Sequence, residues 1–359
     1  MSEEIKSIKK SINAVQIVGT LLEKNIQIVT KEVEIIDYAH DNKKQKITCE
    51  VAEKINFQEP SLLIEVAPKD EDGNVLYTTQ VKVDFANIGF GVPSKTFGED
   101  GKPTAENKNF KGIETVLNTY VAKKDARVGE ESTRVFIERG YISPNEYPDK
   151  KNDFKYKVMN PNITTYNITS LSVPSEDKCI GELSGIIRTM TPEIFMKNDE
   201  ENETGRLKVD FYWFNSKGLT FPINFIVDKD LSEAFTDNYE NGQSVILYYN
   251  IINHHIGDVQ AKGRRKAFGQ DVNITSGYDI PEFIVISGDC PYEDNSDYYV
   301  SMELMKSAMI DRQNYIDTKV QKAKEREEKN GTKSTTKSGL RNNPKFETLS
   351  ETDEEELPF

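Results

Sequence analysis

Short runs in which apolar and polar residues alternate follow one another from Ile12 to about residue 290. The clearest are VQIVGTLL (15–22), QVKVDF (80–85), RVFIERGYI (134–142), GELSGIIR (181–188), RLKVDFYWF (206–214), LTFPINFIV (219–227) and SVILYYNII (244–252). A period of two places alternate side chains on opposite faces of a strand, and the Gly, Asn, Asp and Pro between the runs read as turns. The pattern predicts a mainly β body built of barrels rather than βαβ units. Helical spacing is confined to FKGIETVLNTYVAK (110–123), KDLSEAFTDNYENG (229–242) and the chain beyond Tyr299, where Met302, Met305, Met309, Ile316, Val320 and Ala323 recur on one face. That last stretch predicts one long helix ending near Asn330 and Gly331, its methionines packed on the body.

Two groupings of strands emerge, one up to Leu171 and one from Cys179. Each opens with a run carrying glycine in mid-strand, Gly19 in the first and Gly181 and Gly185 in the second. Such glycines mark bulges or sharp bends, as at barrel corners. The opening strand resembles the bent first strand of an OB fold, and segments 110–123 and 229–242 fall where that fold has its helix, between the third and fourth strands. The expected organisation is therefore two OB-like β-barrels in tandem: residues 1–171, then 172–298, a C-terminal helix over 299–330, and a disordered linker and acidic tail over 331–359. The stretch from Gly331 to Lys345 is Gly, Ser, Thr, Asn and Lys with little to bury, the composition of a tether.

The net charge of -14 excludes a polycation that coats nucleic acid indiscriminately. Any groove for phosphates must be local. Six acids lie in the last thirteen positions, Glu347, Glu351, Asp353, Glu354, Glu355 and Glu356, so an acidic end is set apart from the body. No apolar stretch approaches the ~18 residues of a spanning helix, and MSEEIKSIKK opens no secretion signal, which predicts a cytoplasmic protein. Cys49, Cys179 and Cys290 are widely spaced and odd in number, and the histidines are only His40, His254 and His255, so neither a disulfide framework, a metal site nor a cofactor is expected.

The most specific signal is the last seven residues, Asp353, Glu354, Glu355, Glu356, Leu357, Pro358 and Phe359. They resemble the acidic tip of bacterial single-stranded DNA-binding proteins. That resemblance implies docking onto replication, recombination and repair proteins: carboxylates on a basic rim, Phe359 in an apolar pocket, its α-carboxylate on an Arg or Lys. A solubilising tail ending in Phe by chance is the alternative.

The body resembles a bacteriophage family of single-stranded DNA-binding proteins, through RGYISPNEYPDK (139–150), the strands from Gly181 to Val227, and PEFIVISGDCPYED (281–294). Alternation in 206–214 puts Leu207, Val209, Phe211 and Trp213 in the core and Arg206, Lys208, Asp210, Tyr212 and Phe214 on the other face, which Arg188 could join. Cations beside rings suit unpaired DNA, whose backbone needs neutralising and whose bases stack at about 1–3 kcal/mol each. The same chemistry recurs in Lys262, Arg264, Arg265, Lys266 and Phe268, the most basic short stretch in the chain. It recurs again in the loop 89–112, with Phe90, Lys95, Phe97, Phe110 and Lys111, and in Arg134, Phe136, Arg139, Tyr141 and Tyr147, Tyr141 being open to the core as well. A solvated face covered by a neighbouring loop is the bland alternative for each.

Enzyme motifs fail on inspection. Gly89–Thr96, GFGVPSKT, approaches a phosphate-binding loop, but Ser94 replaces the second glycine, Pro93 removes an N–H, and Gly98 and Gly101 break any following helix. Asp149, Asp153 and Lys155 are too tightly spaced for a metal-dependent nuclease. The expected function is coating of single-stranded DNA in phage replication or recombination, with partners recruited by the tip. The rival is an adaptor that uses the tip to occupy host proteins without binding DNA.

Overall fold

A computed structural model describes residues 8–37, 43–197, 200–260 and 275–334. In chain order the elements are β1 (Asn13–Lys24), β2 (Ile26–Asp37), β3 (Lys43–Lys54), β4 (Leu62–Val66), β5 (Thr79–Phe85), β6 (Val92–Pro93), β7 (Lys95–Thr96), β8 (Ala105–Glu106), α1 (Lys108–Thr119), β9 (Arg134–Asp149), β10 (Lys155–Thr165) and β11 (Thr169–Ser170). The second half comprises β12 (Lys178–Lys197), β13 (Glu200–Phe214), β14 (Thr220–Val227), α2 (Lys229–Asn238), β15 (Ser244–Gln260), β16 (Thr275–Gly288) and α3 (Met302–Ser334).

Hydrogen bonding closes two five-stranded rings of the same order. In the first, β1 pairs with β4, β4 with β5, β5 in parallel with β10, β10 with β9, and β9 back with β1. In the second, β12 pairs with β13, β13 with β14, β14 in parallel with β16, β16 with β15, and β15 back with β12. Each ring thus runs first, second, third, fifth, fourth, with one parallel contact and a helix between third and fourth strands, α1 in one and α2 in the other. This is the OB topology, in tandem, as the alternation predicts. The rings share one sheet, because β1 pairs antiparallel with β12 as well as with β9, Val18 standing between Lys178 and Phe136.

Gly19 and Gly185 mark where each first strand changes partner, whereas Gly181 makes room for the Tyr249 ring. β1 leaves β12 at Val18 and joins β4 at Thr20; a Cβ on the intervening Gly19 would stand 2.3 Å from the Glu65 carbonyl. β12 passes from β15 to β13 around Ile186, and a Cβ on Gly185 would stand 2.1 Å from the Tyr212 carbonyl. The chain bends there because only hydrogen lets the two backbones approach.

The first barrel is filled by Ile17, Leu21, Leu62, Ile64, Val81, Val83, Val135 and Ile137, with Phe110, Ile113 and Val116 of α1 buried as well. The second is aromatic: Phe225 lies 5.3 Å from Phe211, 5.1 Å from Tyr249 and 6.3 Å from Phe283, centroid to centroid. Between β1 and β4 the chain inserts a long ribbon, β2 and β3, in register from Ile26 with Lys54 to Asp37 with Lys43 and extended by β6.

The chain packs as two compact units, one comprising the residues up to Glu146 with Val158–Gln313, the other Tyr147–Lys157 with the chain from Asn314. In the first unit the start of α3 buries Leu304, Met305 and Ala308 against Ile186, Phe214 and Val300. The methionine stripe is a correction. Met302 and Met309 stay 61% and 38% exposed, and the covered arc is turned toward Leu304, Ala308 and Arg312. Arg312 can be buried because its guanidinium donates to the Thr220 carbonyl at 2.7 Å and to Glu146 at 2.6 Å, and lies over the Phe221 ring. In the second unit Lys150 pairs with Glu327 at 2.5 Å and Lys324 lies over the Phe154 ring. Helix α3 runs through Gly331 to Ser334, past the expected stop. The tail lies outside the described residues.

Candidate nucleic-acid interface

The outer face of the second barrel is set by register. Lys208 stands between Thr191 and Ile226, Asp210 between Thr189 and Asn224, and Tyr212 between Ile186 and Pro222. An irregularity between Ile187 and Thr189 turns Arg188 out of the ladder, exposed, its guanidinium 5.6 Å from the centre of the Tyr212 ring. Lys208 is likewise exposed, and neither cation meets a carboxylate among the described residues. Asp210 accepts from the Thr189 hydroxyl at 2.8 Å.

Two neighbours predicted for this face are not available on it. Phe214 is 2% exposed because the start of α3 and Ile8 close over it, so a base cannot reach the ring. Tyr212 is 7% exposed and serves as a floor for Arg188 rather than an open stacking surface. Arg206 is a third correction: it pairs with Glu282 at 2.8 Å, Asp228 at 3.2 Å and Glu193 at 3.5 Å, three acids from three elements. No charge is left over for a phosphate.

The second cluster lies on β9. Phe136 is half-buried and Arg139 exposed, with no carboxylate partner among the described residues. Arg134 is corrected like Arg206, since it is bound to Asp177 and to the Ser175 carbonyl. Tyr141 is not core: its ring pairs at 5.8 Å with Tyr166, which is 52% exposed. Burial and the hydrogen bond with Tyr166 hold the Tyr141 phenol above its ordinary pKa, so it stays neutral through the physiological range. Tyr166 was missed because it follows its strand, in a turn with no alternation to flag it.

These clusters do not merge. Phe136 is separated from Lys178 of β12 by Val18 of β1, and Arg188 lies ten residues further along β12, on the order of 30 Å of extended chain away. Lys95 and Phe97 are apart again. Lys95 stands opposite Glu106 in the register of β7 and β8, Lys95 and Phe97 are each half-buried, and Phe110 of the same stretch is buried in α1. Tyr147 is exposed and belongs to the second compact unit. Lys262, Arg264, Arg265, Lys266 and Phe268 lie outside the described residues, as do Asp353, Glu354, Glu355, Glu356, Leu357, Pro358 and Phe359. Among the described residues no three His, Cys, Asp or Glu side chains are grouped to hold a metal ion, and no helix is long and apolar enough to cross a membrane.

Two OB rings fused through one sheet, with cations and rings on their outer strands, define a tandem OB-barrel protein. A family profile described as YorF matches residues 11–322, and the chain belongs to the YorF family. No curated protein matches the sequence. Among solved structures it is similar to the wild-type single-stranded DNA-binding protein from Thermus aquaticus, at 11% identity and a TM-score of 0.40 over 80% of this chain and 96% of that one. It is similar also to a deletion mutant of the same protein, at 12% identity and a TM-score of 0.39 over 80% and 98%. The order of strands in each ring defines the OB topology.

Proposed function

We propose that the chain binds single-stranded DNA without enzymatic activity, in the cytoplasm of a bacterial host during phage replication or recombination, and recruits replication and repair proteins through the tip from Asp353 to Phe359. Residues 1–171 and 172–298 act as two OB-like domains, 299–330 as a helical brace and 331–359 as a tethered hook. The observation that carries this reading is the pair of OB rings with Arg139, Arg188 and Lys208 projecting from their outer strands without a carboxylate partner among the described residues. OB barrels bind oligonucleotides on such faces and on the adjoining loops.

Titration of the full chain with short oligo-dT, monitored by anisotropy, tests it. Binding that weakens with salt, and that a duplex does not match, is expected. No binding at low salt would favour the rival adaptor, which is supported by the neutralisation of Arg134 and Arg206 and the covering of Phe214. Removing the last seven residues should leave DNA affinity equal or tighter and abolish partner capture; DNA binding lost with the tip would refute the hook.

A further inference from the structure

Two phenylalanines outside the faces described above are held almost wholly in solvent. Phe57 is 73% exposed and Phe90 92%, and Ile55 beside them is 62% exposed. Their loops are adjacent, because a Cβ on Gly89 would stand 3.8 Å from the Phe57 ring. An apolar ring gains nothing in water, so a fold that fixes two of them there, rather than letting them collapse inward, needs another account.

Both rings are rigidly mounted. Phe90 ends a single 3-10 turn, Ile88–Phe90, anchored by buried Ile88 before it and buried Val92 after it. The turn is entered through Asn87 at φ 65° and left through Gly91 at φ 83°, and is held by Phe90 N–H to the Asn87 carbonyl at 3.0 Å. A non-glycine residue in the left-handed region costs free energy that the surrounding structure must offset. Phe57 sits in the loop after β3, which is organised around buried Asn25. That amide donates to the Asn56 carbonyl at 2.7 Å and to the Glu59 carbonyl at 3.3 Å, and its oxygen accepts from the Asn56 N–H at 2.9 Å.

Topology places these loops together on the first barrel: Phe57 lies in the connection from its first to its second strand, Phe90 in the connection leaving its third. Charge around them is balanced locally. Lys54, immediately before Ile55, pairs with Asp84 at 2.7 Å, and Lys31, whose Nζ comes within 3.7 Å of a Cβ on Gly91, pairs with Glu53.

We infer that Phe57 and Phe90 form a stacking platform for unpaired nucleobases at the edge of the first barrel. The inference rests on the single-strand-binding reading and assigns it a site that neither cation cluster includes. The occupant is a base rather than a partner's apolar side chain because the rings protrude from two turns. Phe57 lies between the first and second strands of the ring, a connection by which OB barrels take oligonucleotides, and a protruding ring offers its π face to any base. Stacking also needs no surplus of positive charge, which a chain of net charge -14 does not have.

The test uses the full chain with Phe57→Ala, Phe90→Ala and the double variant, titrated with oligo-dT at two salt concentrations. Each single variant should bind about 5- to 150-fold more weakly with its salt slope unchanged, since an uncharged contact is removed. Phe90→Trp should restore affinity and show fluorescence quenching on binding, against the constant signal of the chain's one tryptophan, buried Trp213. Wild-type binding that both Ala variants retain in full would overturn the platform and leave the single-strand reading standing. A wild-type chain that binds no oligonucleotide would remove both. Ala variants that keep DNA affinity yet lose a captured protein would assign the rings to a protein contact instead.

Discussion

Replacing Arg188 and Lys208 together by Ala removes the two unneutralised cations on the outer face of the second barrel. For single strands each phosphate contact contributes about -0.7 to the slope of log K against log salt, so losing both should flatten the slope by about 1.4. Over a fourfold rise in salt that difference amounts to roughly a sevenfold change in relative affinity, well within the resolution of an anisotropy titration. The variant should therefore trail the wild type most at low salt and approach it at high salt. Arg188→Lys should keep the slope while losing the contact with the Tyr212 ring, about 0.5–1 kcal/mol at an exposed site. Arg206→Ala supplies the contrast. Its charge is already taken by Glu193, Asp228 and Glu282, so it should lower stability without flattening the slope. A slope unchanged in the double variant, or flattened as much by Arg206→Ala, would refute the division between free and neutralised cations.

Gly185→Ala forces a methyl group against the Tyr212 carbonyl and the Phe211 ring at the bend of β12, and should cost about 3 kcal/mol or more, read as a fall in the denaturation midpoint. Tyr249→Phe removes a hydroxyl that is fully buried without a hydrogen-bond partner, and should raise stability by about 1 kcal/mol in the same assay. Burial pushes the Cys179 thiol up to about 12, so the folded state favours its neutral form. That stabilisation is complete below the ordinary thiol pKa and is lost as pH climbs from about 9 toward 12. Thiol reagent at neutral pH should label exposed Cys290 at once and Cys179 only on unfolding, and prompt labelling of Cys179 would show the barrel to be open.

The rings were legible because alternation, mid-strand glycine and two short helical segments are local signals, and the OB order repeats them in both halves. What the second face offers was not legible, because its cover comes from distant chain. Alternation correctly separates Tyr212 and Phe214 from Phe211 and Trp213, yet all four are buried: α3 and Ile8 arrive from either end of the sequence to cover Phe214, and Arg188 lies over the Tyr212 ring. The fate of Arg206 likewise depends on Glu193, Asp228 and Glu282, which only folding brings together. Arg312 was missed because a charged side chain inside a helix reads as solvated until a carbonyl and a carboxylate are found waiting for it. Phe90 was legible as one of the rings of the loop 89–112 and does stand in solvent, whereas Phe57 follows a strand with no alternation or neighbouring cation to flag it, and only folding brings its ring beside Gly89.

Charge cancellation also sets how the chain can hold DNA. Of the candidate cations on the described outer strands, Arg134 and Arg206 are neutralised and Arg139, Arg188 and Lys208 are not. Three phosphate contacts give a salt slope of about -2, and adding Lys262, Arg264, Arg265 and Lys266 would bring it to about -5. A measured slope near the first value means that rings carry most of the affinity, so loss of an exposed phenylalanine should outweigh loss of any single cation. A slope near the second assigns the dominant electrostatic contact to the 262–268 stretch, and the Arg264, Arg265 and Lys266 triple alanine variant should then recover the shallow slope. An acidic chain that showed the steep slope and kept it in that variant would have to draw its phosphate contacts from cations other than these.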